Sequence, residues 1–147
     1  HVEFMTPLME HATGQGRGNS GVYVQGRYEV QVLDSFGVES GLGDCAAIYG
    51  VAPPARNVCR RPERWQSYDI RFRAPRFDDQ GIKVEDARMW VWHNGVLVHD
   101  DVAVAAPTPA AAFGDEQPVG PLMLQDHGNA VRYRNVWVAP WRGPAGG

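Results

Sequence analysis

A carboxylate and an amide lie two residues apart in an otherwise apolar stretch, where Glu29 and Gln31 alternate with Tyr28 and Val30. Side chains alternate between the two faces of a β-strand, so Glu29 and Gln31 are expected to point the same way. A carboxylate in a half-apolar sheet can act as a general base, and an amide can hold a hydroxyl group of a ligand. Glu29 is therefore the leading catalytic candidate and Gln31 a substrate-binding candidate; the alternative for Glu29 is a solvated residue or an arginine partner.

A second polar cluster follows an apolar run near the C-terminus, where Gln125, Asp126 and His127 stand in sequence. Imidazole titrates near neutrality, which makes His127 a plausible acid, base or metal ligand. Asp126 is predicted to share the catalytic role, and Gln125 is predicted to bind substrate. The alternative is a structural histidine in a tight loop.

The glycine-rich stretch 14–21 carries Arg17 and Asn19 just ahead of the strand. Glycines let a backbone approach a ligand closely, so both residues are substrate-binding candidates, although turn formation alone would also explain them. The stretch lacks a Gly-Lys-Ser/Thr ending and precedes a strand, which excludes a phosphate-binding loop. Asp34, near the end of the strand, either joins the catalytic group or shapes the next turn.

A divalent cation is a further possibility, because carboxylates with one imidazole can hold such ions. The candidate ligands are Glu29, Asp34, Asp126 and His127. Their spacing along the chain matches no known ligand pattern. The sequence therefore leaves the need for a metal open.

Three further residues are candidates for binding a ligand. Trp65 would stack on a ring of the ligand, although a tryptophan that opens a strand is more often part of the core. Gln66 and Tyr49 are secondary binding candidates. The other tryptophans within predicted strands are interpreted as packing residues.

Composition narrows the class of protein. The chain has 147 residues, a formal net charge of −3 and no run of about 18 apolar residues,. These values favour one globular domain and disfavour nucleic acid as a partner or a membrane-spanning helix. Cys45 and Cys59 either form a disulfide or are two separate buried thiols.

The elements that must position these groups are all strands, because helical periodicity is absent. Asn94 and Gly95 mark a tight hairpin, since a type I′ turn needs positive φ at both central residues. The pattern predicts an all-β fold of two antiparallel sheets, packed as a sandwich or jelly roll. The predicted strands span residues 1–5, 21–24, 27–33, 67–73, 87–92, 96–100, 122–125 and 131–138.

Six sequence blocks occur in order along the chain: Gly-Arg-Gly-Asn-Ser-Gly-Val-Tyr (16–23), Gly-Arg-Tyr-Glu-Val-Gln-Val-Leu-Asp-Ser (26–35), Asp-Cys-Ala-Ala-Ile-Tyr (44–49), Trp-Gln-Ser-Tyr-Asp-Ile (65–70), His-Asn-Gly-Val-Leu-Val-His (93–99) and Leu-Gln-Asp-His-Gly-Asn (124–129). Together they resemble the 3-keto-disaccharide hydrolase family, formerly a domain of unknown function. The resemblance covers residues 1–140 and implies a concanavalin A-like sandwich acting on glycosides oxidised at C3. With such a substrate, Gln31 would hold a sugar hydroxyl and Trp65 would stack on a sugar ring.

The resemblance sets the remaining expectations. Residues 1–140 are expected to form a single β-sandwich domain that lacks N-terminal strands of the family, and residues 141–147 a Pro/Gly-rich tail. A completing strand from a second copy would make a homo-oligomer, because an open sheet edge invites pairing. We expect a secreted or periplasmic bacterial protein, although no signal peptide is visible. The alternatives to an enzyme are a lectin-like carbohydrate-binding sandwich and a structural or assembly module.

Overall fold

The structure is a computed structural model that describes residues 1–141. Its regular elements are ten β-strands and one 3₁₀ turn at Gly14–Gly16. The strands are β1 (Val2–Met5), β2 (Ser20–Val24), β3 (Tyr28–Val32), β4 (Gln66–Arg73), β5 (Arg76–Phe77), β6 (Lys83–Glu85), β7 (Ala87–His93), β8 (Val96–Val104), β9 (Met123–Leu124) and β10 (Arg132–Arg134).

The larger sheet has five antiparallel strands in the order β10-β1-β4-β7-β8. Burial alternates along strand β7: Ala87, Met89 and Val91 are buried, while Trp90 and Trp92 at the alternate positions are only partly covered. This period of two places one set of side chains in the core and the other on the outer surface. The sheet therefore acts as one wall of the core.

The smaller sheet has three antiparallel strands in the order β3-β2-β9, and β5 pairs with β6 as a separate ribbon. The outer edge of β3 is covered by two irregular segments. Gln31 exchanges backbone hydrogen bonds with Ala46 and Ala47, and Arg27 O accepts a hydrogen bond from Thr108 N. These segments satisfy backbone groups that an open edge would leave unpaired.

The core lies between the two sheets. Phe4 and Tyr68 from the larger sheet and Tyr28 and Val30 from the smaller one are completely buried. Tyr68 spans the core, since its hydroxyl donates to Gln31 O at 2.6 Å. Removal of this apolar surface from water supplies the main stabilisation of the fold, at about 25 cal/mol per Å².

The all-β, antiparallel prediction is confirmed, and all eight predicted strands exist. The hairpin at Asn94 and Gly95 is also confirmed, with φ values of 51° and 78°. The last strand is shorter than predicted because β10 ends at Arg134, although Trp137 still exchanges backbone hydrogen bonds with His1. The two-residue and three-residue strands β5 and β6 were missed, since such short segments show no periodicity. The jelly-roll connectivity stays a prediction.

Two other expectations concern the cysteines and the membrane. Cys45 and Cys59 are free, buried thiols, which agrees with the second of the two interpretations above. Within residues 1–141, no helix is long and apolar enough to cross a bilayer. Residues 142–147 of the predicted tail lie outside the described part of the chain.

Candidate functional site

The candidate site lies on the face of the smaller sheet that points away from the core. In the register of β2 and β3, Tyr23 pairs with Glu29 and Gly21 pairs with Gln31. Glu29 is 2% exposed and Gln31 is 1% exposed. The predicted polar face is therefore real, but loops cover it, so β3 is buried on both faces.

The carboxyl of Glu29 has an unusual environment. Burial raises its pKa to about 7, and the neighbouring Tyr23 hydroxyl partly offsets that rise because it favours the charged form,. Burial, and then the neighbouring Glu29, raises the pKa of Tyr23, so this phenol stays protonated. Gln125 Nε2 donates to the Tyr23 oxygen at 3.1 Å. A carboxyl whose pKa lies near neutral pH suits a general base.

Gly21 makes room for this carboxyl. A β-carbon at position 21 would lie 2.2 Å from Glu29 Oε1 and 2.8 Å from a ring carbon of Tyr23. Both distances are far below van der Waals contact. Only glycine therefore allows Glu29 to take its observed position.

We expect Gly21→Ala to displace the Glu29 carboxyl and to destabilise the protein by about 1–3 kcal/mol, the usual cost of overpacking. Chemical denaturation will measure this change. The control is Gly114→Ala, because no atom lies within 4 Å of the added carbon and the residue has no positive φ. Equal stability of the two variants would contradict the crowding argument.

Gln31 belongs to a network of amides. Its Nε2 donates to Gln15 Oε1 at 2.9 Å, and Gln15 Nε2 donates to Gly43 O at 2.7 Å. Gln15 is exposed, so it closes the surface directly above Gln31. The ring of Tyr49 is half-buried beside Gly43 and completes this rim.

Two acceptors in the site are unsatisfied. Gln31 Oε1 and Gln125 Oε1 are buried and have no hydrogen-bond partner among the described residues. A buried acceptor without a donor costs about 1–3 kcal/mol. A ligand that carries hydroxyl groups would supply the missing donors.

The glycine-rich loop is tied to the end of β3. Arg17 Nη2 forms an ion pair with Asp34 Oδ2 at 2.7 Å, and Asp34 N donates to Arg17 O at 2.9 Å. Asn19 Nδ2 donates to Gln15 O at 2.7 Å, which holds the 3₁₀ turn in place. Asp34 and Asn19 thus have structural contacts that were considered as alternatives for them. The guanidinium of Arg17 keeps donors that Asp34 does not use.

The second predicted cluster forms a turn on a neighbouring loop. Asp126 and His127 are exposed, and Asp126 Oδ1 accepts a hydrogen bond from Gly128 N at 2.9 Å. The loop meets the glycine-rich segment where Asn129 Oδ1 accepts from Asn19 N at 2.7 Å. No hydrogen bond joins His127 to Glu29 among the described residues.

Two predicted binding residues lie on the other sheet. Gln66 is buried among core groups, where its Oε1 accepts from Arg60 N and lies 2.9 Å from His93 Nε2. Trp65 is half-buried, and the guanidinium of Arg134 covers its ring at 4.0 Å. Neither contacts the Glu29 face, because strand β4 belongs to the larger sheet.

The proposed metal ligands are also separated. Within residues 1–141, no group of three or more His, Cys, Asp or Glu side chains could hold a metal ion. Glu29 is buried under the loops, Asp34 pairs with Arg17, and Asp126 and His127 are exposed on another loop. The four residues therefore do not form one ligand set in this structure.

Sequence reasoning missed three residues of the site: Gln15, Gly21 and Tyr23. Gly21 and Tyr23 could have been predicted, because the tight turn between β2 and β3 sets a register that places these positions on the same sheet face as Glu29 and Gln31. Gln15 could not be found this way, because a loop residue has no periodic pattern.

A cavity of about 730 Å³ lies elsewhere. Its walls include Val22 and Val24 of the smaller sheet and Ile70 and Phe72 of the larger one. The side chains of Glu29 and Gln31 do not line it. It is therefore separate from the candidate site.

The protein is an antiparallel β-sandwich whose smaller sheet carries a buried carboxylate beside two unsatisfied amide oxygens. The chain belongs to the family of 3-keto-alpha-glucoside-1,2-lyase-like domains, whose pattern matches residues 1–139. The predicted family is thereby confirmed. No curated protein sequence matches the chain.

Two solved structures from Parabacteroides distasonis ATCC 8503 resemble this one, and each is described as a "putative glycosyl hydrolase". The first has 33% sequence identity and a TM-score of 0.81 over 92% of this chain. This chain spans 60% of that protein's length. The second has 20% identity and a TM-score of 0.51, covering 92% of this chain and 76% of its own, and shares the fold alone.

Proposed function

We propose that the chain is the site-bearing part of an enzyme that cleaves 3-keto-glycosides, with Glu29 as the general base. One observation carries this proposal: a buried carboxyl whose pKa lies near 7 stands beside unsatisfied amide oxygens. Membership of the family supports the substrate class. The 33%-identical structure, described as a "putative glycosyl hydrolase", supports action on a glycosidic bond.

The chemistry follows from the keto group. A carbonyl at C3 acidifies the hydrogen at C2, so the Glu29 carboxylate takes that proton and an enolate forms. The electrons then expel the group at C1, and the leaving oxygen takes a proton from an acid or from water. In a hydrolase, water adds back across C1 and C2, which restores the proton to C2. Each proton that Glu29 takes is thus returned to the product or to water.

The remaining residues of the site have matching roles in this proposal. Gln31 and Gln125 would accept hydrogen bonds from sugar hydroxyls through their free oxygens. The guanidinium of Arg17 would stabilise the negative charge that develops on the keto oxygen. His127 is our candidate for the acid that protonates the leaving oxygen. Tyr49 and Gln15, which cover Gln31 at the surface, would contact the sugar there.

The test is chromatographic release of aglycone from a 3-keto-glucoside, beside the same glucoside with its C3 hydroxyl intact. We expect turnover of the keto substrate alone, because only its C2 hydrogen is acidic. The rate should rise with pH through an apparent pKa near 7, since Glu29 must be ionised. Equal rates on both substrates would contradict the elimination step. Binding of the keto sugar without release would favour a lectin-like sandwich.

A further inference from the structure

We propose that the side-chain amide of Gln15 is a latch over the candidate site, and that hydroxyl groups of the substrate displace it. This proposal rests on the proposed function, because it takes Glu29 and Gln31 as the groups that the sugar reaches. Their side chains are 2% and 1% exposed, so a covering group has to move before a ligand binds. Of the groups that cover this face, the latch is held in the way that is easiest to release.

Two other segments at this face are fixed by backbone hydrogen bonds to the edge of β3. In the first segment, Ala46 N donates to Gln31 O at 2.9 Å. In the second segment, Thr108 N donates to Arg27 O at 2.9 Å, just ahead of the strand. Moving either segment would leave backbone groups of buried residues unpaired, which is costly.

Gln15 contacts the site through its side chain. Its Nε2 donates to Gly43 O at 2.7 Å, and its Oε1 accepts from Gln31 Nε2 at 2.9 Å and from Asn19 Nδ2 at 3.1 Å. Because Gln15 is exposed, rotation of its side chain breaks these bonds without breaking any bond between strands,. The turn itself stays in place, since Asn19 Nδ2 also donates to the backbone oxygen of Gln15 at 2.7 Å.

Uncovering Gln31 also opens the way to the Glu29 carboxyl. Gly21 stands directly opposite Gln31 in the β2–β3 register. Glu29 Oε1 occupies the space that a β-carbon of residue 21 would take. The carboxyl therefore extends over the bare backbone of Gly21, toward the side where Gln31 stands. A ligand that takes the place of the latch meets Gln31 first and the Glu29 carboxyl next to it.

A sugar can replace the bonds that the latch makes. A hydroxyl group both donates and accepts, so one hydroxyl or two adjacent ones can accept from Gln31 Nε2 and donate to Gly43 O, as the amide does. Gln31 Oε1, which has no partner among the described residues, would then accept from a further hydroxyl. Opening thus exchanges one set of hydrogen bonds for a similar set. A ligand without hydroxyl groups cannot make this exchange.

Removal of the latch should tighten binding. The apparent Kd equals the intrinsic Kd divided by the fraction of open protein, so a closed latch weakens every binding event. We expect Gln15→Ala to lower the Kd for a 3-keto-glucoside about fivefold, the effect of one neutral hydrogen bond that no longer has to be broken. A binding isotherm in the Glu29→Gln background measures this Kd without turnover, with Glu29→Gln alone as the reference.

A second readout needs no ligand. Hydrogen exchange of the Gln31 side-chain amide, followed by ¹H–¹⁵N NMR, reports how often the latch opens, and we expect it to be about tenfold faster in Gln15→Ala. The matched control is Gln80→Ala, since Gln80 is an exposed glutamine on the turn of the separate β5–β6 ribbon. This control should change neither the exchange rate nor the Kd.

The two measurements separate the latch from the proposed function. An unchanged or higher Kd in Gln15→Ala overturns the latch, even where the keto-glucoside is cleaved. A lower Kd without cleavage by the unaltered protein supports the latch and removes Glu29 as the base. If neither protein binds the keto-glucoside, the proposed function falls and the exchange at Gln31 decides the latch: faster exchange supports it, and unchanged exchange overturns it.

A second variant covers the case in which Gln15→Ala does not fold. Gln15→Asn keeps an amide that is one methylene shorter and cannot reach Gly43 O and Gln31 Nε2 together. It should therefore lower the Kd and speed the exchange in the same direction. An unchanged Kd in this variant would also count against the latch.

Discussion

Glu29→Gln should lower kcat/KM on a 3-keto-glucoside by about 10³-fold, within the range that removal of a general base usually costs. An amide of the same shape cannot take the C2 proton. It should still fill the space that Gly21 leaves, so circular dichroism and substrate binding should change little. The measurement is steady-state turnover of the keto substrate together with a binding isotherm.

His127→Ala is the companion variant in the same assay, because it tests the proposed acid. His127 is exposed, so its removal should leave folding unaffected. A fall in kcat in this variant would support its proposed role as the acid, whereas an unchanged kcat would assign protonation of the leaving oxygen to water. Rates for Glu29→Gln close to those of the unaltered protein would remove Glu29 from the mechanism.

Glu29→Gln should also stabilise the protein at alkaline pH. Burial raises the pKa of Glu29 to about 7 from the ordinary value of 4.5. When an acid has a higher pKa in the folded protein than in the unfolded one, its protonated form favours the folded state. This stability is fully present below the pKa of the unfolded state and is lost as pH rises through the pKa of the folded state. At pH 8 the ionised carboxylate therefore costs about 3 kcal/mol relative to a neutral side chain. Glu29→Gln should remove that cost.

Urea denaturation between pH 4 and pH 8 measures this effect. We expect the stability difference between Glu29→Gln and the unaltered protein to be small at pH 4 and to grow through pH 5–7. Glu39→Gln is the matched control, since Glu39 is exposed and the substitution removes a carboxylate far from the buried one. A difference independent of pH would mean that Glu29 is not a strained, buried acid. A difference that grows with pH would show that the buried acid lowers stability at a site where its reactivity is needed.

Most of the fold could be predicted from local patterns. The alternation in β4 and β7 identified half-buried strands, and Asn94-Gly95 identified the hairpin, because these features depend on neighbouring residues alone. The short ribbon of β5 and β6 could not be predicted in this way. Its two or three residues per strand carry too little periodicity to stand out.

The candidate site was predicted only in part. Glu29 and Gln31 were found because they place polar groups on one face of an otherwise apolar strand. The structure brings them together with Gln125. Trp65 and Gln66 were grouped with them by residue type, yet they stand on the other sheet. Residue type does not tell which sheet a strand joins, since that depends on contacts between distant segments.

Strand alternation and turn residues, which are local features, predicted the all-β class and the shared face of Glu29 and Gln31, and the six sequence blocks predicted the family. How deeply that face is buried, and which groups surround it, depends on contacts between distant segments, so it became visible in the folded structure. Tyr23, Gly21 and Gln15 reach Glu29 and Gln31 across strands and loops, and the loops that carry Ala46 and Thr108 close the edge of β3. The pKa of Glu29 follows from this enclosure, because it depends on the water removed by segments far apart in the chain.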